Sequence, residues 1–274
     1  MPTVAVDGAD LYYEEHGTGD EVVVCCQQWF TSEFPALLSR APTSYHVFTL
    51  VCRGYHPSSP VERQLGAGWY PRWAEDVHGF ARALGLERFV YTGVSHGALI
   101  GWHLALAHPE DLKALVSIVG APQGDRNRPG RVSHGRRMDR ETDPVRLRAY
   151  LRSLFAPPRS ETRRRWRDAL IEADLARMLA RVDAFHADAG IAFPECESDA
   201  ELAELLGRIR VPVLLMGGLH DPLCKAEYNL LAARAVRGAK LVLFEEAGHR
   251  LAVELPDQVV GEFRLFIDQL KAGA

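Results

Sequence analysis

The sequence FVYTGVSHGALIGWHLALA, residues 89–107, passes from a strand pattern to a helix pattern within five residues. Residues 89–92 form a short apolar run, typical of a strand buried on both faces. Residues 98–107 are nearly all apolar, which predicts a buried helix that ends before Pro109. Between them stands Gly93-Val94-Ser95-His96-Gly97. A G-x-S-x-G pentapeptide between a strand and a helix is the setting that a nucleophile elbow requires.

The elbow pattern predicts a reactive serine. In such a turn the serine is held in a strained backbone conformation, and the two glycines remove side chains that would collide with neighbouring backbone. Ser95 would then project from the carboxyl end of the sheet, where open α/β sheets place their ligands. The helix N-terminus behind it favours negative charge. The pentapeptide alone occurs by chance, but its setting indicates that Ser95 is a nucleophile.

Further apolar runs on both sides of this stretch alternate with segments of helical period. The predicted strands are 22–26, 46–51, 89–92, 114–119, 211–216 and 241–244, and the predicted helices are 73–84, 98–107, 223–236 and 258–270. This alternation predicts the α/β class with a doubly wound, mostly parallel sheet. Residues 4–6 and 11–15 predict a hairpin that turns at Asp7-Gly8 and pairs antiparallel at one sheet edge.

Residues 123–208 interrupt the alternation, because they contain helical stripes and no convincing strand. We therefore predict a core formed by residues 1–122 and 209–274, with 123–208 inserted as a helical cap. Residues 126–181 contain 16 arginines and 7 acidic residues, an excess of nine positive charges. A solvated helical surface is the favoured interpretation of such a run. The alternative is steering of an anionic substrate towards the cleft.

A serine hydroxyl needs a base, and the base needs an acid to orient it. His249 follows the last predicted strand, whereas His103 and His108, on the buried helix, are better interpreted as structural. Asp221 directly follows the strand 211–216 within Gly217-Gly218-Leu219-His220-Asp221. The order Ser, Asp, His is the one expected for a nucleophile elbow on an α/β sheet. These three residues are the predicted catalytic triad.

Composition narrows the class of protein. The 274 residues suffice for one large domain, and a net charge of −4 gives no reason to expect nucleic-acid or membrane-surface partners. The N-terminus lacks a signal-peptide pattern, and no apolar run is long enough to span a membrane.

The five cysteines lack zinc-site spacing, which predicts free thiols in a cytoplasmic protein. No metal or cofactor is expected. A small-molecule substrate is the expected partner, and the oligomeric state is open.

With these motifs in place, the chain resembles the α/β-hydrolases over essentially its whole length. The matching segments are Gly93–Gly97, Gly217–Asp221 and Gly248-His249, and Arg53-Gly54-Tyr55 is typical of the family in a structural role. The resemblance implies a two-step reaction. Ser95 would attack a carbonyl to give an acyl-enzyme, and water activated by His249 would release the acid.

One segment departs from the family pattern. The family usually shows His-Gly after the third strand, where this chain has Gln27-Gln28-Trp29-Phe30. By position, the resemblance implies an oxyanion hole formed by the backbone N–H groups of Trp29 and His96. Gln28 and Gln27 are candidate substrate-binding residues, with Gln28 as hydrogen-bond donor; the alternative is that the pair only stabilises the loop. Trp29 has a second interpretation, as a residue that lines the substrate pocket.

Three functions stay open. The leading one is hydrolysis of a carboxylic ester, lactone or thioester. The second is non-hydrolytic chemistry on the same scaffold: cofactor-free oxygenation, carbon–carbon cleavage or acyl transfer. Ser-His-Gly also occurs in cofactor-free dioxygenases of this fold, so the triad alone does not prove hydrolysis. The third is a slow-turnover, receptor-like protein that binds a ligand.

Overall fold

The computed structural model describes residues 2–28, 34–41, 45–123, 141–180, 187 and 191–273. Within these ranges the chain forms an eight-stranded sheet with the order β1-β2-β4-β3-β5-β6-β7-β8. The strands are β1 (Thr3–Val6), β2 (Ala9–His16), β3 (Val22–Gln27), β4 (His46–Val51), β5 (Phe89–Val94), β6 (Leu112–Ile118), β7 (Val213–Gly218) and β8 (Lys240–Phe244). β2 pairs antiparallel with β1 and with β4, and the other neighbouring strands pair in parallel. The predicted α/β fold class is confirmed.

Helices follow most of the parallel strands and cover the sheet. They are α1 (Phe34–Leu37), α2 (Trp69–Ala83), α3 (His96–Ala107), α4 (Pro144–Ser153), α5 (Glu161–Ala180), α6 (Asp199–Leu206), α7 (Ala226–Ala235), α8 (Leu251–Glu254) and α9 (Pro256–Ala272). Strands buried on both faces explain the continuous apolar runs, and all six residues of β7 are buried. The continuous apolar runs in the sequence therefore follow from helices that cover the sheet.

The predicted hairpin and strands are present with small shifts. The hairpin turns at Asp7 and Gly8, whose φ values of 41° and 74° suit a tight two-residue turn. β7 begins at Val213, two residues later than predicted. Pro212 has no N–H to donate to a ladder, so the apolar run starts before the strand does. β7 also continues through Gly217 and Gly218, which the sequence pattern assigns to the following loop.

The helices between β6 and β7 belong to two hydrophobic clusters. The smaller cluster joins α4 to α5 and contains buried Leu147, Leu151, Leu154, Phe155, Ile171 and Leu175. Leu202 and Leu206 of α6 lie instead in the main core. The predicted cap, 123–208, therefore includes one helix that packs with the core. We use "cap" below for α4, α5 and the segment Leu154–Ser160 between them.

Most of the cap arginines that the structure describes form ion pairs. The pairs within residues 141–180 are Arg146–Glu141, Arg146–Asp143, Arg148–Glu172, Arg152–Asp168, Arg164–Glu161, Arg165–Glu161, Arg167–Asp168 and Arg177–Asp174. Such pairs on exposed helices fit the solvated surface rather than a field directed at the cleft. The arginines at 126–140 lie outside the described residues.

All five cysteines are described, and each is buried as a free thiol. Cys25 and Cys26 lie on β3 as small core side chains, as expected from the apolar run. Among the described residues, no helix combines the length and the apolar character that crossing a membrane requires.

His103 of α3 is expected to make the free energy of unfolding depend on pH. Burial lowers the pKa of His103 from 6.5 to about 4, although its Nε2 donates to the carbonyl of Ala192. Between these two values the unfolded chain binds a proton that the folded chain excludes, so stability falls as the pH falls. The full shift corresponds to about 3 kcal/mol.

The check is urea denaturation from pH 7 to pH 4 for the wild type and His103→Gln. The variant should lose less stability across this range, and the exposed His56→Gln variant should behave like the wild type. Parallel curves for the wild type and His103→Gln would show that His103 is not held neutral.

Candidate active site

Ser95 occupies a sharp turn between β5, which ends at Val94, and α3, which begins at His96. Its φ of 53° and ψ of −109° are rare for a residue with a side chain. The Ser95 N–H donates to the carbonyl of Ile118 on the neighbouring strand β6 (2.8 Å). Strain of this kind persists only where the surrounding structure enforces it, and it concentrates at functional sites.

Two glycines allow the turn because each lies against backbone. A Cβ on Gly97 would lie 2.2 Å from the carbonyl oxygen of Cys26, and a Cβ on Gly93 would lie 2.3 Å from the carbonyl carbon of Gly97. The hydroxyl of Tyr91 donates to the Gly97 carbonyl (2.8 Å). The elbow is therefore packed against the end of β3, as its sequence pattern predicts.

The structure brings Ser95, His249 and Asp221 into one line of hydrogen bonds. Nδ1 of His249 lies 2.8 Å from Oδ2 of Asp221, and Nε2 lies 2.8 Å from Oγ of Ser95. A carboxylate only accepts hydrogen bonds, so Nδ1 carries the proton and Nε2 is left to accept from the serine hydroxyl. This tautomer is the one that a general base requires.

Asp221 is fixed by more than its contact with the histidine. Its Oδ1 accepts from the N–H groups of Leu223 (2.7 Å) and Cys224 (2.8 Å), and the residue is only 5% exposed. An aspartate before Pro222 is a typical start of such a turn, so Leu223 and Cys224 were recognisable from the sequence. The two oxygens of Asp221 thus have separate roles, one in the turn and one towards His249.

The loops after β7 and β8 are joined by backbone hydrogen bonds. The Leu219 N–H donates to the backbone carbonyl of Phe244 (2.9 Å), and the His220 N–H donates to the backbone carbonyl of Ala247 (3.0 Å). A Cβ on Gly218 would lie 2.4 Å from the carbonyl oxygen of Ala247, so only glycine fits this approach. These contacts set the distance between the segment that carries Asp221 and the segment that carries His249.

Comparisons with known proteins identify the family of the chain. A family model described as alpha/beta hydrolase fold matches residues 16–254. The chain belongs to the α/β-hydrolase family.

Individual relatives extend this result. Human serine hydrolase BPHL is 24% identical over 268 residues, which cover 93% of this chain and 82% of that protein. A putative carbamate hydrolase, RutD of Azorhizobium caulinodans, is 26% identical over 94% of each chain. The malate-bound structure of a thermophilic esterase from Thermogutta terrifontis aligns with a TM-score of 0.74 at 21% identity, covering 98% of this chain and 97% of that one. This α/β-hydrolase is an enzyme of the hydrolase type.

The two glutamines that replace the usual His-Gly of α/β-hydrolases have different surroundings. Gln28 Nε2 donates to the Tyr55 hydroxyl (2.7 Å), which donates to the carbonyl of Ala187 (2.9 Å). Gln28 therefore takes part in holding the loop. Gln27 is buried, and its Nε2 has no hydrogen-bond partner among the described residues. A role for either glutamine towards substrate stays a prediction, and Trp29 lies outside the described residues.

His96 contributes its backbone to the elbow and its ring to the core of this α/β-hydrolase. The ring packs 4.5 Å from the ring of Trp73 and 5.2 Å from that of Tyr70, measured between centroids. Both ring nitrogens are buried. The first turn of α3 begins at His96, and a helix N-terminus favours negative charge.

One group of side chains in the described part of the chain has the composition of a metal site. Its members, His78, His108 and Asp111, bring one ligand atom each within 4.8 Å of one another. Asp111 precedes β6 and lies at the end of the sheet opposite Ser95. Its carboxylate already pairs with His78 (2.6 Å) and Arg82 (2.8 Å), so a cation would compete with a guanidinium. The group has no part in the chemistry at Ser95.

Gly97→Ala is expected to lower the free energy of unfolding by about 1–3 kcal/mol, because the added carbon meets the Cys26 carbonyl and not a flexible side chain. Gly261→Ala is the matched control. Gly261 lies in α9, and a Cβ added there would meet no atom within 4 Å, so alanine should stabilise the protein by roughly 1 kcal/mol. Urea denaturation of both variants measures whether the free energy of unfolding falls in Gly97→Ala and rises in Gly261→Ala. Equal stabilisation by both would contradict the close approach of α3 to β3.

Proposed function

We propose that the protein hydrolyses carboxylic esters, lactones or thioesters of small molecules through an acyl-enzyme on Ser95. The observation that carries the proposal is the line of hydrogen bonds from Ser95 through His249 to Asp221, at 2.8 Å each. The strained turn that presents Ser95 and the hydrolase and esterase names of the relatives support it.

The proposed reaction follows from the protonation state of His249. Nε2 accepts the Ser95 proton as Oγ attacks the carbonyl carbon, and Asp221 stabilises the imidazolium that forms. The imidazolium returns the proton to the leaving group, which leaves an ester on Ser95. A water molecule then gives a proton to Nε2 and attacks this ester. Nε2 passes that proton to Oγ of Ser95 as the carboxylic acid leaves.

The negative charge of the tetrahedral intermediate needs hydrogen-bond donors. We assign the backbone N–H of His96 to this role because it opens α3 immediately after the nucleophile. Trp29 N–H is the second donor in the proposal, by its position after β3. The ring of His96 packs against Trp73, so the proposal uses only the backbone of this residue.

Ser95→Ala is expected to lower kcat/KM for p-nitrophenyl esters by roughly 10⁴- to 10⁶-fold, because no other group can form the acyl-enzyme. The same variant should lose labelling by a fluorophosphonate probe. Ser153→Ala, which removes an exposed hydroxyl of the cap, is the control for both assays. A Ser95→Ala variant that keeps much of this ester hydrolysis would exclude an acyl-enzyme on Ser95. Ligand binding without labelling or turnover in the wild type indicates the receptor-like function.

Asp221→Asn is expected to lower kcat by about 10⁴-fold while the protein stays folded. The amide oxygen can still accept from Leu223 and Cys224, but the amide nitrogen then faces His249 Nδ1. The imidazole would take the other tautomer, which cannot accept the serine proton. Circular dichroism and thermal melting report the fold, and ester hydrolysis reports the tautomer. A folded variant with wild-type kcat would exclude Asp221 from the triad.

A further inference from the structure

A buried carboxylate outside the proposed triad joins the cap to the loop that carries His249. Glu254, the last residue of α8, is only 4% exposed. Its Oε1 accepts from the N–H of Ala156 in the cap (2.9 Å), and its Oε2 accepts from the N–H of Gly248 (2.8 Å). Gly248 directly precedes His249, so each oxygen of one side chain contacts a different part of the fold beside the base.

The residue on the other side of His249 contacts the same cap segment. Arg250 N–H donates to the carbonyl of Leu154 (3.1 Å), and the Arg250 guanidinium pairs with Asp174 of α5 (2.8 Å). A Cβ on Gly248 would lie 2.4 Å from the Leu154 carbonyl oxygen. Both chain neighbours of His249 are therefore held against residues 154–156.

Because the Glu254 carboxylate is buried, losing its hydrogen bonds costs free energy. Burial raises the pKa of Glu254 above its ordinary value, against the lowering effects of the two backbone N–H groups and of nearby Arg163 and Arg250. Arg163 also donates to the backbone carbonyl of Glu254. A buried carboxylate is costly when its hydrogen bonds are not made. Movement of Gly248 away from the carboxylate would therefore be unfavourable.

We propose that Glu254 is a positioning residue for His249, which holds the histidine loop against the cap so that the imidazole stays aligned between Ser95 and Asp221. The inference rests on the proposed role of His249 as the base. Glu254 itself takes no proton in the reaction and acts through the backbone of Gly248.

The test is Glu254→Gln, which keeps the size of the side chain. The amide has one acceptor oxygen and one donor nitrogen, so it can accept from only one of the two N–H groups. We expect kcat on p-nitrophenyl esters to fall about 10- to 100-fold with KM changed by less than about threefold, because a small misplacement of a catalytic group affects the chemical step. The low-field proton resonance of His249 Nδ1–H should shift or broaden. Glu254→Asp keeps both acceptors at a shorter reach and should lie between Glu254→Gln and the wild type.

Glu246→Gln is the matched control. Glu246 lies in the same loop after β8 and is exposed, and its carboxylate pairs with Arg159 of the cap. Its removal should change kcat by less than about twofold. A purely structural role for Glu254 gives a different pattern in Glu254→Gln: a lower melting temperature, with unchanged kcat per folded molecule and an unchanged Nδ1–H resonance. That pattern would overturn the proposal.

Amide exchange in the wild type keeps the test decisive if Glu254→Gln does not fold. The amide protons of Gly248 and Ala156 should exchange slowly with solvent, and exchange at the rate of exposed amides would overturn the proposal. If the wild type neither hydrolyses esters nor reacts with a fluorophosphonate, the proposed function fails by itself. The Nδ1–H resonance of Glu254→Asp is then compared with that of the wild type, which needs no substrate. A shifted or broadened resonance supports the positioning role, and an unchanged resonance overturns it.

Discussion

The close approach of α3 to the end of β3 is the constraint on which the geometry of the site depends. The Gly97 backbone lies so near the Cys26 carbonyl that no side chain fits between them. Because α3 starts at that distance, the chain must turn within one residue after β5, and Ser95 takes the positive φ that this turn requires. The hydrogen bond from Ser95 N–H to Ile118 holds the turn from the other side. Strain at Ser95 is thus offset by contacts with the strands on both sides of β5.

Parallel pairing brings Asp221 and His249, the other two candidate residues, to the same edge of the sheet as Ser95. β5, β6, β7 and β8 are consecutive in the sheet, so their carboxyl ends lie side by side. Asp221 and His249 follow β7 and β8, and the backbone bonds between the two loops fix their separation. The sheet therefore sets the coarse positions, while hydrogen bonds from the Leu223 and Cys224 N–H groups fix the carboxylate of Asp221 within them.

The sequence predicted those parts of the structure that local patterns encode. Strands buried on both faces leave continuous apolar runs, and a nucleophile elbow leaves a pentapeptide between a strand and a helix, so the fold class and the three candidate residues were accessible. Contacts between distant segments leave no such trace. Tyr55, which accepts a hydrogen bond from Gln28, donates one to Ala187, 132 residues further along the chain. Glu254 accepts a hydrogen bond from Ala156, 98 residues earlier. Leu202 and Leu206 show the same limit, since an amphipathic helix reveals its apolar face but not which core it joins.

The contacts around His249 join the cap to the loop that carries the proposed base. If α4 and α5 moved together with residues 154–156, Arg250 would lose its bond to Leu154 and Glu254 its bond to Ala156. On the positioning role proposed for Glu254, the imidazole of His249 would then lose its alignment. A movement of the cap that leaves residues 154–156 in place has no such effect, because the bonds to Glu254 and Leu154 persist. The Arg250–Asp174 pair opposes the first kind of movement, since separating it would leave a largely buried guanidinium without its carboxylate. Residues 154–156 and Asp174 therefore join the cap to the core on both sides of the proposed base.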